Sequence, residues 1–143
     1  MIIKNGISVA DYQTLHKAVG WKILSDSIVR KSLKNSHIVL SAYENNKTVG
    51  MVRLVSDRAT HGHLTDVIVL PEYQGRGIGK SLILELSNRI QTFVNNIDQF
   101  LLELVPSKGY EEFYKKCGFN IDNSALLGAY RWFKNQNIYK ENK

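Results

Sequence analysis

The segment at 66–86, DVIVLPEYQGRGIGKSLILEL, changes its hydrophobic period across three closely spaced glycines. Before the glycines, an apolar run ends at a proline, which is typical of a strand. After them, apolar residues recur with the period of a helix that we expect from Gly77 to about Asn95. The continuous apolar run QFLLELV at 99–105 then predicts a strand buried on both faces. A strand, helix and strand of this length imply a right-handed crossover, so the strands 61–70 and 99–105 should be parallel.

The remaining segments predict further helices and an antiparallel hairpin. Ser8 and Asp11 resemble a capping box at the start of a helix. The pair Asn45-Asn46 separates two runs rich in β-branched residues and predicts a hairpin turn. The expected helices span 9–19, 25 or 26 to 34, and 109–118, and the expected strands span 37–44, 47–57, 61–70 and 124–135. The fold class is therefore mixed α+β, with antiparallel N-terminal strands, one parallel pair and flanking helices.

Size and composition favour a single domain over 1–143, with a flexible tail of about eight residues. No stretch approaches 18 consecutive apolar residues, and the single cysteine, Cys117, cannot form an internal disulfide. We therefore expect a soluble cytoplasmic protein without a membrane partner. The net charge of +6 suits an anionic ligand, but the cations are spread along the chain and do not indicate nucleic acid. Cys117 is expected to be a small buried side chain and not a nucleophile.

The glycines at 75, 77 and 79 stand where the strand ends and the helix begins. The first N–H groups of a helix have no partner within it, and the positive end of the helix dipole lies behind them. Glycine would let a bulky phosphate reach these groups, and Arg76 and Lys80 could add positive charge at the rim. The segment therefore predicts an anion site.

Three types of phosphate-binding loop compete for this segment. A dinucleotide fingerprint, G-x-G-x-x-G, would need glycine at Lys80 or at Leu82. A P-loop, G-x-x-x-x-G-K-[ST], would need its first glycine at position 74, which is Gln74. The glycine next to it, Gly75, is one residue too close to the GKS at 79–81. The third pattern, Q-x-x-G-x-G, is present as Gln74, Gly77 and Gly79.

This third pattern resembles the acetyl-CoA pyrophosphate loop of the GCN5-related N-acetyltransferase (GNAT) superfamily. A second motif, FYKKCGF at 113–119, resembles the Tyr-x-x-x-Gly-Phe element that follows the next parallel strand of that family. The two motifs occur in the family's order, and the resemblance covers most of the chain. It implies the GNAT fold and acetyl transfer from acetyl-CoA to an amine, with no metal. Family members are often dimers, so a homodimer is an assembly to test.

The resemblance also implies which residues bind the cofactor. The strand residues Val67 to Val69 would hydrogen-bond the pantetheine arm, and an N–H near Val69 would polarise the thioester carbonyl. The implied cofactor-binding residues are Val67, Ile68, Val69, Gln74, Gly75, Arg76, Gly77, Ile78, Gly79, Lys80, Ser107, Tyr110 and Tyr114. Ser107 stands where many members have an asparagine, and Tyr110 stands where a small residue is usual, so the contact there departs from the family.

Three residues are candidates for the chemistry. Tyr114 matches the family tyrosine that protonates the thiolate or donates a hydrogen bond to it. His63 and Asp66 are candidates to draw the proton from the amine, directly or through water. Strand alternation places these two on opposite faces unless a bulge intervenes. The two histidines at 61 and 63 lack a carboxylate or cysteine companion and make a poor zinc site.

The acceptor is less constrained by the sequence. The segment MVRLVSDRATHGHLTDVIVLPEYQGRGIG also resembles plastid-type serotonin N-acetyltransferases, which implies a small arylalkylamine or polyamine acceptor. Trp21, Tyr130 and Trp132 would then lie near the substrate, although each can equally be a packing residue. The alternatives are acetylation of a protein lysine or N-terminus, and a non-catalytic module that binds acetyl-CoA.

Overall fold

A computed structural model describes residues 1–122 and 128–139. Its strands are β1 (Ile2–Asn5), β2 (Ile38–Glu44), β3 (Lys47–Ser56), β4 (His61–Val69), β5 (Gln99–Leu104), β6 (Asn120–Asp122) and β7 (Gly128–Lys134). Its helices are α1 (Val9–Ala18), α2 (Asp26–Lys34), α3 (Ile78–Val94), α4 (Glu111–Lys116) and α5 (Gln136–Tyr139), with a 3-10 turn at Pro71–Tyr73. The described strands form a seven-stranded mixed sheet in the order β1-β2-β3-β4-β5-β7-β6. The chain divides into two compact units, one of residues 1–55 and 65–86 and one of 56–64 with the described residues from 87 onward.

The first unit contains the antiparallel strands β1, β2 and β3. Asn45 and Asn46 join β2 to β3, and both have positive φ (49° and 58°), as a two-residue hairpin turn with the matching twist requires. Helix α1 begins after Ser8, whose hydroxyl accepts a hydrogen bond from the N–H of Asp11 at 3.0 Å. Fully buried apolar side chains of the helices and strands form the core of this unit: Leu15, Val29, Leu40, Met51 and Leu54.

A glycine in the middle of β3 allows a close approach in the same unit. A Cβ atom on Gly50 would lie 2.9 Å from the carbonyl oxygen of Ile68 and 3.3 Å from a methyl carbon of Leu82. Because the nearer atom belongs to the backbone, it cannot move aside by changing a rotamer. Gly50 therefore fixes how closely β3 approaches β4 and the start of α3.

The second unit is built on the parallel pair of β4 and β5. His61, Gly62 and His63 lie opposite Leu101, Leu102 and Glu103, and β5 pairs with β7 in antiparallel orientation. One face of β5 and β7 is buried and consists of Phe100, Leu102, Leu104, Ala129 and Phe133. The opposite face leaves Tyr130 and Trp132 partly exposed.

Most of the predicted elements are confirmed, including the hairpin, the glycine-bounded helix and the parallel pair. The short strands β1 and β6 were not predicted. Helix α4 is shorter than predicted and begins at Glu111, because Gly109 has a φ of 92° that a helix does not continue through. Residues 124–127 of the predicted last strand lie outside the described residues.

The described part of the chain end, which falls within the predicted tail, contains a short helix. Residues Gln136–Tyr139 form a short helix, and the N–H of Asn137 donates to the side-chain oxygen of Asn135 at 2.9 Å. Residues 140–143 lie outside the described residues. In the described ranges, no helix has both the length and the apolar character needed to cross a membrane.

Candidate functional site

The loop between β4 and α3 has the backbone that the glycine pattern predicts. Gly75 and Gly77 have φ values of 78° and 80°, which residues with a side chain rarely adopt. Among the described residues other than the chain neighbours, no heavy atom lies within 4 Å of a Cβ built on either glycine. Glycine is therefore required here by the backbone conformation, and the space in front of it is open.

The N–H groups of this loop are available to a ligand. The N–H of Ser81 donates to the carbonyl of Gly77 at 3.0 Å, and within the described chain the N–H groups of 75–80 have no protein acceptor. A hydrogen bond fixes the loop to the end of β4, because the side-chain amide of Gln74 donates to the carbonyl of Val69 at 3.0 Å. Ile78 is buried, so only its backbone can reach a ligand. This geometry fits an anion at a helix N-terminus.

The charged side chains around the loop contact Tyr73. The guanidinium of Arg76 lies 5.0 Å from the centre of the Tyr73 ring and donates to the carbonyl of Glu72 at 3.2 Å. The ammonium of Lys47 lies 5.8 Å from the same ring and 3.3 Å from the carboxylate of Glu72. Arg76 is thus folded onto the preceding turn, whereas Lys80 is exposed.

Asp66 lies in a buried cluster of polar side chains in the first unit. Its carboxylate accepts a hydrogen bond from Nε of Arg53 at 2.6 Å and one from the Tyr12 hydroxyl at 3.4 Å, both on Oδ2. Oδ1 lies 3.1 Å from Nε2 of His16, whose Nδ1 lies 2.8 Å from the carbonyl of Tyr12. The φ of Asp66 is 50°, a left-handed residue within a strand, as found at β-bulges. Both carboxylate oxygens of Asp66 are therefore already engaged.

The cluster lowers the proton affinity of Asp66. Burial alone would raise the pKa of this carboxyl, but the hydrogen bonds from His16 and Arg53 and the charge of Arg53 outweigh it and hold the pKa below its usual value. Burial, followed by the nearby charge of Asp66, raises the pKa of Tyr12. Asp66 is therefore a stable carboxylate near neutral pH.

Two aromatic rings enclose the imidazole of this cluster. Tyr12 stacks on the ring of His16 at 3.8 Å between centroids, and Trp21 meets it edge-on at 5.5 Å. His16 and Arg53 were not predicted as site residues. Like Asp66 on β4, Arg53 is a charge within an apolar run, and this signal in the sequence could have indicated a buried partner.

His63 is exposed and belongs to the second unit. It lies opposite Glu103 in the register of β4 and β5, but the carboxylate of Glu103 contacts the neighbouring His61, at 3.0 Å from Nε2. In the described part of the chain, no group of three or more His, Cys, Asp or Glu side chains could hold a metal ion.

Tyr114, also in the second unit, lies on α4 and is only 8% exposed. Its ring meets Phe113 and Phe119 edge-on, at 5.0 Å and 5.9 Å between centroids. Among the described residues its hydroxyl has no hydrogen-bond partner. Burial, with smaller effects of Cys117 and Tyr110, raises its pKa to about 12. Tyr114 is thus a neutral phenol with a free donor at any physiological pH.

The two residues that depart from the family pattern are close together in the turn before α4. The N–H of Tyr110 donates to the carbonyl of Ser107 at 3.0 Å, and the Tyr110 side chain is half exposed. Cys117 is partly exposed, so the expectation that it is buried was wrong. It follows the end of α4, where its N–H caps the helix and its side chain is not enclosed by the core.

Comparison with known proteins identifies the family. The family model for the acetyltransferase (GNAT) domain matches residues 35–121, more than half of the chain. Histone acetyltransferase TAP1 of Glycine max is 35% identical over 90% of this chain and 58% of its own length. GCN5-related N-acetyltransferase 2, chloroplastic, of Arabidopsis thaliana is 30% identical over 89% of this chain and 55% of its own. The chain belongs to the GNAT acetyltransferase family, and it spans little more than half the length of these two relatives.

Solved structures confirm the fold. A probable acetyltransferase from meticillin-resistant Staphylococcus aureus superimposes with a TM-score of 0.73 at 22% identity, over 86% of this chain and 93% of that one. The predicted GNAT fold is therefore confirmed. At this level of identity, the likeness concerns the fold alone.

Proposed function

We propose that this protein is an acetyl-CoA-dependent N-acetyltransferase that acetylates a primary amine of a small molecule by direct attack in a ternary complex. The observation that carries the proposal is the open loop at 75–80, whose unpaired N–H groups suit the diphosphate of coenzyme A. Family membership supplies the class of cofactor. A cytoplasmic location is part of the proposal.

In this proposal the cofactor is held mainly by the backbone. The N–H groups of 75–80 bind the diphosphate, and the strand backbone of Val67 to Val69 hydrogen-bonds the pantetheine arm as an added strand would. An N–H near Val69 polarises the thioester carbonyl as the tetrahedral intermediate forms. Ser107 and Tyr110 are the proposed contacts nearer to α4.

The raised pKa of Tyr114 supports a hydrogen bond to sulfur more than a complete proton transfer. A thiol has a pKa of about 8.5, so moving a proton from a phenol with a pKa of about 12 to a thiolate is uphill by roughly 5 kcal/mol. A donated hydrogen bond stabilises the departing thiolate without this cost. The proton that finally neutralises the thiolate then comes from the amine nitrogen, through water.

Of the two candidate bases, the contacts favour His63. Both oxygens of Asp66 are occupied by Arg53 and His16, and its lowered pKa makes it a weak proton acceptor. His63 is exposed and can receive a proton through water. We therefore assign the base to His63 and a positioning role to Asp66.

An apolar surface supports a small aromatic or alkyl amine as the acceptor. Four large apolar side chains lie between the end of α1 and the first turn of α2, and each is 41–52% exposed: Trp21, Ile23, Leu24 and Ile28. Exposed apolar groups at this density are typical of a binding surface. A protein lysine is the second candidate acceptor, because one relative carries the name histone acetyltransferase.

A thiol-release assay tests the proposal. Acetyl-CoA is combined with arylalkylamines, polyamines, aminoglycosides or a lysine-containing peptide, and calorimetry measures the binding of coenzyme A separately. We expect release with an arylalkylamine and little with the peptide. The reverse preference would favour the second candidate, and a folded protein that gives no heat with coenzyme A or acetyl-CoA would overturn the assignment.

The variant Tyr114→Phe tests the role of the phenol. We expect turnover to fall about 10- to 100-fold, the value of one hydrogen bond to a charged group, while the acetyl-CoA affinity stays within about twofold. Tyr43→Phe, which removes the hydroxyl of a tyrosine on β2, is the matched control. Unchanged turnover, or an equal loss of turnover and affinity, would exclude Tyr114 from the chemistry.

A further inference from the structure

The second unit contains a cavity of about 690 Å³ that the proposed reaction does not use. Its described lining comes from the segment before β4, the segment before β5, strand β7 and helix α5: Ala59, Thr60, His61, Ile97, Asp98, Gln99, Leu101, Trp132 and Ile138. A volume of this size is within the range of pockets for small molecules.

The wall on the sheet is a row of three side chains. His61 lies opposite Leu101, and Leu101 lies opposite Trp132, so the three side chains are neighbours on one face of β4, β5 and β7. Trp132 is 47% exposed, although Phe133 beside it is buried. The indole face is therefore available to a molecule in the cavity.

Backbone hydrogen bonds hold the rim in place. The N–H of Asn135 donates to the carbonyl of Asp98 at 2.8 Å, and the N–H of Leu101 donates to the carbonyl of Thr60 at 2.9 Å. These bonds fix the residue that carries the Asp98 carboxylate relative to β5 and the start of α5. The cavity is thus preformed at its rim.

The charges of the lining suit a cation. The chain carries 19 Lys and Arg residues and a net charge of +6, yet none of the described lining residues is Lys or Arg. Asp98 is a lining carboxylate, and His61, the other lining residue that can ionise, is engaged by the carboxylate of Glu103 at 3.0 Å. The described lining therefore attracts a positive ligand.

We propose that this cavity binds a small amphipathic organic cation, a primary ammonium ion that carries an aryl or alkyl body. Asp98 and the indole face of Trp132 receive the ammonium group, by charge pairing and by cation–π attraction. Ile97, Leu101 and Ile138 contact the apolar body. This site is separate from the proposed acetyl transfer, since neither the loop at 75–80 nor Tyr114 takes part in it.

Titration with 2-phenylethylammonium, followed in the amide and indole N–H resonances by NMR, tests the site without acetyl-CoA. The two tryptophans, Trp21 and Trp132, give separate indole signals, which the variants Trp21→Phe and Trp132→Leu assign. We expect a saturable shift of the Trp132 signal. The neutral analogue 2-phenylethanol and the anion phenylacetate should bind at least about tenfold more weakly.

The variant Asp98→Asn should weaken the shift of the Trp132 signal at least about tenfold. Glu112→Gln removes the same charge from an exposed carboxylate on α4 and should leave the titration unchanged. An equal response to 2-phenylethanol, an unchanged affinity in Asp98→Asn, or no saturable shift of Trp132 would overturn the proposal.

Two further readouts separate this proposal from others. Binding at the acceptor surface of the proposed function would shift the Trp21 signal, and Asp98→Asn should not change that shift. The two sites are therefore tested separately. Sedimentation velocity tests a second copy of the chain as the occupant. A dimer that Trp132→Leu converts to a monomer would overturn the small-molecule site.

Discussion

Replacing Asp66 with asparagine should destabilise the protein strongly, because the change keeps the side-chain shape but removes the negative charge at the centre of the buried cluster. The side chains of Arg53 and Asp66 are only 16% and 10% exposed. In Asp66→Asn the guanidinium stays buried and loses its counter-ion, and the imidazole of His16 loses the carboxylate that it contacts at 3.1 Å. Breaking a buried ion pair by removing one partner costs about 3–5 kcal/mol.

Urea denaturation at pH 7 measures this loss. With a slope near 2 kcal/mol per molar urea, the midpoint should fall by about 1.5–2.5 M. The matched control is Glu72→Gln, because Glu72 pairs with Lys47 on the surface, where the two side chains are 58% and 50% exposed. A surface pair of this kind contributes less than about 1 kcal/mol.

The dependence on pH has a definite sign. The folded state lowers the pKa of Asp66 below its ordinary value of 3.8, so its contribution is complete above pH 3.8 and is lost as the pH falls through the folded value. The difference in unfolding free energy between the wild type and Asp66→Asn should therefore shrink below pH 3.8. The double variant Asp66→Asn with Arg53→Met should lose less unfolding free energy than the two single variants lose together. A loss below about 1 kcal/mol at pH 7, or additive losses, would refute the reasoning.

Two other substitutions follow from the packing. Gly50→Ala should cost about 1–3 kcal/mol in urea denaturation, because its Cβ would lie 2.9 Å from the carbonyl oxygen of Ile68; a cost under 0.5 kcal/mol would contradict that contact. The free energy of unfolding of Tyr114→Phe should fall less than that of the wild type as the pH rises from 9 to 12. The raised pKa of Tyr114 contributes stability that is complete below pH 10 and lost as the pH rises through 12, up to about 2.7 kcal/mol. Parallel stability curves for Tyr114→Phe and the wild type from pH 9 to 12 would count against the raised pKa.

The elements that the sequence predicted well have local signals. The hairpin follows from two asparagines that adopt positive φ, and the start of α1 follows from the hydroxyl of Ser8. Helix α3 follows from a clear change of hydrophobic period after the glycines. Strand β1 has no such signal, because its four residues alternate little in burial and include Lys4 and Asn5. It is a strand because β2 pairs with it.

The site was predictable where the backbone makes it and not where distant side chains do. Gly75 and Gly77 have the conformations that their pattern indicates, whereas the buried ring of Tyr114 leaves its catalytic role a prediction. The charge of Asp66 was visible in the sequence, but its partners lie 13, 50 and 54 residues away. Only the tertiary structure shows that they occupy both of its oxygens.

The sequence separation within that cluster also affects the order in which the chain folds. Tyr12 and His16 belong to the first helix, but the carboxylate that they contact lies 54 and 50 residues further along the chain. During synthesis the ribosome releases both helix residues long before Asp66, so the cluster is completed only after β4 has been made. Interactions that are absent from the folding transition state act chiefly by slowing unfolding. We predict that the cluster around Asp66 forms after this transition state, so that it prolongs the lifetime of the native state more than it speeds its formation.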